Sequence, residues 1–169
     1  MALLPSGTVT FLFTDIEGST RLWQEKPESM KSVMAKHDSI LKESIESHRG
    51  HVVKTTGDGV HAVFETAADA INSTLAAQCA LQSLAKSSSA DVSIRVRMGV
   101  HTGEAELRDG DYYGQALNRG ARIMAAGHGG QVLISEVTAQ VAREHLPREV
   151  SFLDLGEYHL KGLTGPEKI

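Results

Sequence analysis

The stretch VTFLFTDIEGST, Val9 to Thr20, constrains the fold of this chain more than any other. An apolar run, VTFLF, leads directly into an acid, and a glycine and two small hydroxyl residues follow. β-Branched and aromatic residues in an unbroken short run specify a buried strand. Asp15 then falls at the strand's carboxyl end, where a sheet opens to solvent. Gly18 permits a tight turn in which successive N–H groups face an anion. A carboxylate beside such amides suits a metal-bound polyphosphate, the acid holding the cation and the amides the phosphate oxygens. The same residues also fit a plain strand end followed by an Asp/Ser helix cap. This stretch alone leaves both readings open.

A second stretch weighs on the choice. Lys54-Thr55-Thr56-Gly57-Asp58-Gly59 lies between two strand-like runs, His51–Val53 and Val60–Phe64. Gly-Asp-Gly between such runs signals a hairpin turn. If the hairpin pairs beside the first strand, Asp58 comes near Asp15. Two carboxylates that close repel unless a divalent cation sits between them. Such a pair is the constellation of a two-metal phosphoryl-transfer site.

Three segments, FTDIEGST, KTTGDGVHAVF and DYYGQALNRGARI, taken in this order, resemble the catalytic domain of the class III adenylyl cyclases. The resemblance runs from about Thr8 to Lys161, and the short connection from Glu104 to Tyr113 resembles a bacterial subgroup with a shortened dimerisation arm. It implies an α+β fold with a ferredoxin-like core. Residues 1–7 are expected as an N-terminal extension and 8–169 as the catalytic domain, with one more strand expected beyond Ile169.

The implied reaction is attack by the ribose 3′-hydroxyl of ATP on its own α-phosphorus, expelling pyrophosphate. By resemblance, Asp15 and Asp58 would hold two Mg²⁺ or Mn²⁺ ions per site, with the Ile16 carbonyl as a further oxygen ligand. Backbone amides of Glu17, Gly18, Ser19 and Thr20 would cradle the β- and γ-phosphates. Asn118 and Arg122 are four apart on a helix and share a face. By resemblance, Asn118 orients the ribose, and Arg122 stabilises charge on the α-phosphate, a role a planar guanidinium suits. Taken without the other segments, the two would read as a solvated helix face. Arg119 lies on another face and reads as surface or interface.

Lys54 and Asp111 would choose the base. Adenine offers an acceptor at N1 and a donor at its 6-amino group; an ammonium matches the first and a carboxylate the second. Guanine reverses both, so a guanylyl enzyme should carry an acid at position 54 and a small or thiol residue at 111. Asp109 competes for the Asp111 role, but the spacing to Gly114 and Asn118 favours Asp111. Lys161 resembles the lysine that contacts the terminal phosphates. Lys54 and Asp58 are near neighbours that serve opposite ends of the nucleotide. The family resolves this with a head-to-tail homodimer holding two shared sites, an ordinary two-fold arrangement. The rival readings are a catalytically dead homologue acting as a dimerisation or nucleotide-binding module, and a guanylyl cyclase.

Composition bounds the rest. A chain of 169 residues makes one domain with a real core. A formal net charge of -4 with no basic block argues against nucleic acid as the main partner. No run approaches the roughly 20 apolar residues of a membrane span, and Met1 to Gly7 is too short for a signal peptide and lacks its charged start. With one cysteine, Cys79, the chain has no internal disulfide and fits a reducing cytoplasm. Cys79 falls in the apolar pattern of a helix and reads as buried. The eight histidines show no metal-ligand spacing, and His101 reads as structural.

The coarse pattern predicts helices from Ser29 to His48, closed by Gly50, from Ala67 to Ala85 capped by Thr66, from Gln115 to Ala126, and from Val137 to Glu144. A polar loop covers Ser87–Ser89. Strands are expected at Val92–Val100, where apolar residues alternate, at Val132–Ser135, Val150–Leu155 and Glu157–Leu160. Together these predict a mixed, mostly antiparallel sheet with helices on one face.

Overall fold

The computed structural model describes residues 3–87 and 91–169. Its elements are β1 (Gly7–Ile16), α1 (Ser19–Glu25), α2 (Pro27–Ser47), β2 (His51–Thr56), β3 (Gly59–Phe64), α3 (Ala67–Ser87), β4 (Val96–Arg108), β5 (Asp111–Tyr113), α4 (Gln115–Ala126), β6 (Val132–Ile134) and α5 (Glu136–Ala142). A 3₁₀ turn at Arg143–His145 and a small hairpin, β7 (Glu157–Tyr158) with β8 (Glu167–Lys168), complete them. Ser88 and Ser89 of the expected polar loop lie outside the described residues. Among the described residues no helix is long and apolar enough to cross a membrane.

The main sheet has the order β2-β3-β1-β4-β5, with β6 alongside β4. Every pairing is antiparallel except β4 with β6. The expected α+β architecture and mostly antiparallel mixed sheet are therefore present. The period-2 alternation of β1 divides the core. Leu12 and Ile16 face α2 and α3, packing with Val60, Ala62, Phe64, Met98 and Val100 against Met30, Val33, Leu41, Ile45, Ala70 and Ala77. Val9 and Phe11 face the other way, with Val63, Tyr112 and Ala116.

That second face corrects one detail of the expectation: α4 lies across it, opposite α2 and α3. Small residues let it approach. A Cβ on Gly99 would sit 2.5 Å from the Met124 backbone nitrogen, and one on Gly103 would sit 2.9 Å from the Ala116 Cβ. On the helix itself, a Cβ on Gly120 would come within 2.7 Å of the Phe13 ring.

Other expectations shift for definable reasons. The alternation from Val92 is real, because Val92, Ile94, Val96, Met98 and Val100 are all buried. The ladder begins only at Val96, however, and continues to Arg108 because the Asp109-Gly110 turn folds β5 back onto it. Val150–Leu155 is not a strand: its last residue, Leu155, donates its N–H to the Ile169 carbonyl at 3.0 Å beside the β7–β8 hairpin, but the pairing does not run on along the segment. Gly50 follows α2 for packing, not for left-handed geometry: Arg49 takes φ +61°, and a Cβ on Gly50 would strike the Phe64 ring. Cys79 is exposed on α3, on the flank of the apolar stripe rather than within it. Thr66 does cap α3, its Oγ1 accepting from the Asp69 N–H at 3.1 Å.

Candidate active site

One end of β1 carries the acids. Asp15 is the penultimate residue of β1 and Ile16 the last, with a fully buried side chain. The β1–β3 ladder pairs Thr14 with Val60. Asp58, in the two-residue turn between β2 and β3, therefore lies one step beyond Asp15 across the ladder. Gly57 holds the first turn position at φ +60°. Gly59 must be glycine for β3 to pass here, since a Cβ would sit 2.8 Å from the Thr14 carbonyl oxygen. Asp58 Oδ2 is buried with no hydrogen-bond partner. A buried carboxylate oxygen without a partner is costly, and a cation at that position would satisfy it. Asp15 Oδ2 instead accepts from Arg97, at 2.7 Å from Nη2 and 3.1 Å from Nε.

In the turn after Ile16, one of the expected phosphate-binding amides is already engaged. The Glu17 N–H donates to the Arg95 carbonyl at 2.9 Å. Gly18 takes φ +68°, and α1 starts at Ser19 with no side-chain cap. The open amides are thus those of the first turn of α1, from Ser19 and Thr20 onward.

On the α4 face of the sheet, Lys54 Nζ donates to Asp111 Oδ2 at 2.7 Å. Asp111 Oδ1 accepts from the Tyr112 N–H at 2.8 Å. The ammonium, and then this amide, hold the Asp111 carboxyl below the usual carboxylate range. A β-bulge at Val53 aims Lys54. Val52 pairs with Ala62, which faces α2 and α3, whereas Lys54 pairs with His61, which faces Phe13. Without the extra residue the register would turn Lys54 to the opposite face. Asp109, at φ +53°, is absorbed in the turn, which leaves Asp111 as the acid that meets Lys54.

His61 lies beneath this pair, its ring stacked on Phe13 at 4.5 Å and 10°. Both its ring nitrogens are buried without partners. Burial, and then the charge of Lys54, push it down to about 4, so it is neutral near pH 7. His101 is likewise pushed down to about 4, first by burial and then by Arg119. Its Nδ1 lies 2.7 Å from Ser135 Oγ. From there a buried hydroxyl chain runs through Thr138 and Thr102 to Thr10, in steps of 2.9, 3.0 and 2.9 Å. His101 is thus structural, as read from the sequence.

Asn118 and Arg122 are exposed, one turn apart on α4. The Arg122 guanidinium packs on Gly162, where a Cβ would sit 3.4 Å from Nη2; this brings Lys161, the preceding residue, to the same end of α4. Arg119 pairs within the chain, with Glu167 of β8 at 3.4 Å. Sequence reasoning missed Arg97, the Val53 bulge and His61. The first two are properties of register, which no local pattern encodes. Two buried unpaired ring nitrogens leave no mark on the sequence at all.

With this geometry in hand, comparison with known proteins decides the family. The profile of the Adenylate and Guanylate cyclase catalytic domain matches residues 2–169. This chain belongs to that family. A protein of Mycobacterium tuberculosis is 43% identical over 167 residues, covering 98% of this chain and 55% of the relative. An adenylate cyclase of Podospora anserina is 31% identical over 218 residues, covering 98% of this chain and 10% of that protein. The cyclase-family chain thus spans about half the length of the mycobacterial relative and a small part of the fungal one. Among solved structures, an Adenylate/Guanylate Cyclase/Hydrolase from Silicibacter pomeroyi superimposes with a TM-score of 0.82 at 29% identity, over 95% of this chain and 93% of that one.

Proposed function

We propose that this cyclase domain is an adenylyl cyclase, converting ATP to 3′,5′-cyclic AMP and pyrophosphate. The observation that carries the choice of base is the Lys54–Asp111 pair at 2.7 Å. A donor-only and an acceptor-only group stand side by side, the complement of the N1 and 6-amino edge of adenine. Each would exchange its neighbour for one atom of the base. An unsatisfied pairing costs roughly 1–3 kcal/mol per group, which disfavours guanine twice over.

Asp15, Asp58 and the Ile16 carbonyl would hold two Mg²⁺ or Mn²⁺ ions, and the orphaned Asp58 Oδ2 supports that reading. Such ions supply a lowered 3′-hydroxyl pKa and neutralisation of the triphosphate. The chain's own residues supply position. The open amides at Ser19 and Thr20, with that of Gly18 before them, take the β- and γ-phosphates, and Lys161 contacts the terminal phosphates; Glu17, whose N–H is held by the Arg95 carbonyl, does not. Asn118 holds the ribose. Arg122 meets the charge that grows on the α-phosphate as the 3′-oxygen forms its bond to phosphorus and the bond to the β-phosphate oxygen breaks. The 3′-hydroxyl proton leaves to solvent, and pyrophosphate departs with the electron pair of the broken bond.

Two copies of the chain would share each site, one giving Asp15 and Asp58, the other Lys54, Asp111, Asn118 and Arg122. The test mixes an Asp15→Ala chain with an Arg122→Ala chain, each inactive alone, and follows cyclic AMP from ATP with Mn²⁺. Recovery of activity is the expected result, from one intact site per mixed dimer. No recovery in protein shown to be dimeric would sink the shared site. GTP turned over faster than ATP would overturn the base assignment.

A further inference from the structure

His61 breaks a rule that buried polar groups ordinarily keep. Its ring is only 3% exposed, stacked on Phe13 and tilted against Phe11 at 5.5 Å. Both phenylalanines belong to the apolar cluster on the α4 side of the sheet. Among the described residues neither ring nitrogen of His61 has a hydrogen-bond partner. The Tyr112 hydroxyl in this cluster is committed elsewhere, donating to the Pro5 carbonyl at 2.6 Å. A neutral imidazole carries one donor and one acceptor, and burying both unpaired has a cost that leucine or methionine would not bring. Such a group in a native core calls for an explanation, and the sites where local rules are broken are expected to be functional ones.

The register shows what the ring serves. His61 is the ladder partner of Lys54, and the bulge at Val53 that turns Lys54 to this face sets the two side by side. Directly opposed residues bring their Cβ atoms to roughly 5 Å, within the length of a lysine side chain. Lys54 and Asp111 are also the charged groups whose fields reach the imidazole. The ammonium has three donors. One is spent on Asp111 Oδ2 at 2.7 Å, which draws Nζ away from the ring. A base that takes the Asp111 carboxylate for its amino group frees that donor, and Lys54 then needs another anchor. From this we infer that His61 is a positioning residue for Lys54: its acceptor nitrogen takes one ammonium N–H when the base displaces Asp111, and so aims another at purine N1. The inference rests on the reading of Lys54 and Asp111 as the base-binding pair. It requires a neutral ring, since an imidazolium has no acceptor and repels the ammonium. Burial keeps the ring neutral near pH 7.

Two analogues of ATP separate this role from a structural one. 1-Deaza-ATP has C–H in place of N1, and purine riboside triphosphate lacks the 6-amino group. Displacement of a fluorescent ATP analogue, at times too short for turnover, gives Kd for ATP and both analogues with Mn²⁺ present. Wild type should bind each analogue about ten-fold more weakly than ATP, since each loses one partner of a buried polar group. His61→Leu should bind ATP about ten-fold more weakly than wild type but 1-deaza-ATP almost as well, so the preference for N1 collapses. Its preference for the 6-amino group should persist, because Asp111 is untouched. His61→Gln, whose amide oxygen restores an acceptor, should recover most of the preference for N1. His61→Met reads the same ratios should the leucine variant fail to fold. Equal losses on all three nucleotides in the apolar variants, with no recovery in His61→Gln, would make His61 structural and overturn the inference while leaving the base pair standing. A wild type that binds all three alike, or binds none, would overturn the base-binding reading of Lys54 and Asp111, and the role of His61 with it.

Discussion

Lys54 and Asp111 lie far apart in sequence yet meet at 2.7 Å, and Lys54 reaches that face only because the β2–β3 ladder slips by one residue at Val53. The pair satisfies itself when no base is bound. A base that matches both groups replaces the contact; one that matches neither must break it without return.

Exchanging the pair should therefore exchange the substrate. Lys54→Glu with Asp111→Cys places an acceptor before guanine N1 and a weak donor before O6. Each mismatch with adenine costs roughly 1–3 kcal/mol, or about ten- to hundred-fold in kcat/KM. The double variant should lose ATP turnover by about a hundred-fold or more and gain GTP turnover. Initial rates with both nucleotides measure it, and an unchanged ATP/GTP ratio would count against the assignment.

Asp58 supplies a different kind of test. Its Oδ2 is buried without a donor, so that oxygen's lost hydration goes uncompensated in the cation-free fold. Asp58→Asn removes the charge at nearly constant volume. Without metal the variant should melt no lower than wild type. With Mn²⁺ and tripolyphosphate, wild type should gain stability by ligand linkage, about 2.7 kcal/mol at a hundred-fold excess over Kd, and the variant should gain almost none. Differential scanning fluorimetry reads both. A large loss of metal-free stability would show that the carboxylate is structural.

How much of this was legible depended on whether the signal was local. The helix at Gln115–Ala126 is found with the bounds expected for it, and the hairpin turns at Gly57-Asp58 as its Gly-Asp-Gly signal implied, although β2 runs on to Thr56, beyond the expected Val53, and β3 begins at Gly59. Pro27 starts α2 as the first helical residue, where its missing N–H costs nothing. What the sequence hid is tertiary. Arg97 alternates with Val96 and Met98 like any outward residue, and only the β1–β4 register sets it on Asp15. Val150–Leu155 has strand composition, yet only Leu155, at its end, meets a neighbouring backbone, that of Ile169. The face chosen by α4 follows from Gly99, Gly103 and Gly120 meeting one another's elements, a match visible only once the strands are paired.

That close approach is itself testable. A Cβ at position 120 would lie 2.7 and 2.9 Å from two Phe13 ring atoms. Phe13 is also stacked on the buried His61 ring, which restricts its room to retreat. Gly120→Ala should cost about 1–3 kcal/mol by overpacking, despite the better helix propensity of alanine. Because α4 carries Asn118 and Arg122, kcat should fall more than KM rises. Urea unfolding and steady-state kinetics give the two numbers. A stabilised Gly120→Ala chain of full activity would mean that α4 is not held by this contact.

The buried imidazoles fix the acid limb of stability. His61 and His101 are both pushed down to about 4 in the fold, against about 6.5 when unfolded. Between those values the unfolded chain binds more protons than the folded one. The stability each contributes is therefore whole above about pH 6.5 and lost as pH falls toward 4. From pH 7.5 to pH 5 the loss should be about 2 kcal/mol per histidine as an upper bound, from about 1.36 kcal/mol per unit over the span below 6.5. Neither nitrogen of His61 has a hydrogen bond to lose, so His61→Leu should keep the fold at pH 7.5. It should also remove roughly half of the acid-dependent loss. Urea midpoints for wild type and His61→Leu at pH 5 and 7.5 check this, and parallel profiles for the two chains would place the titration elsewhere.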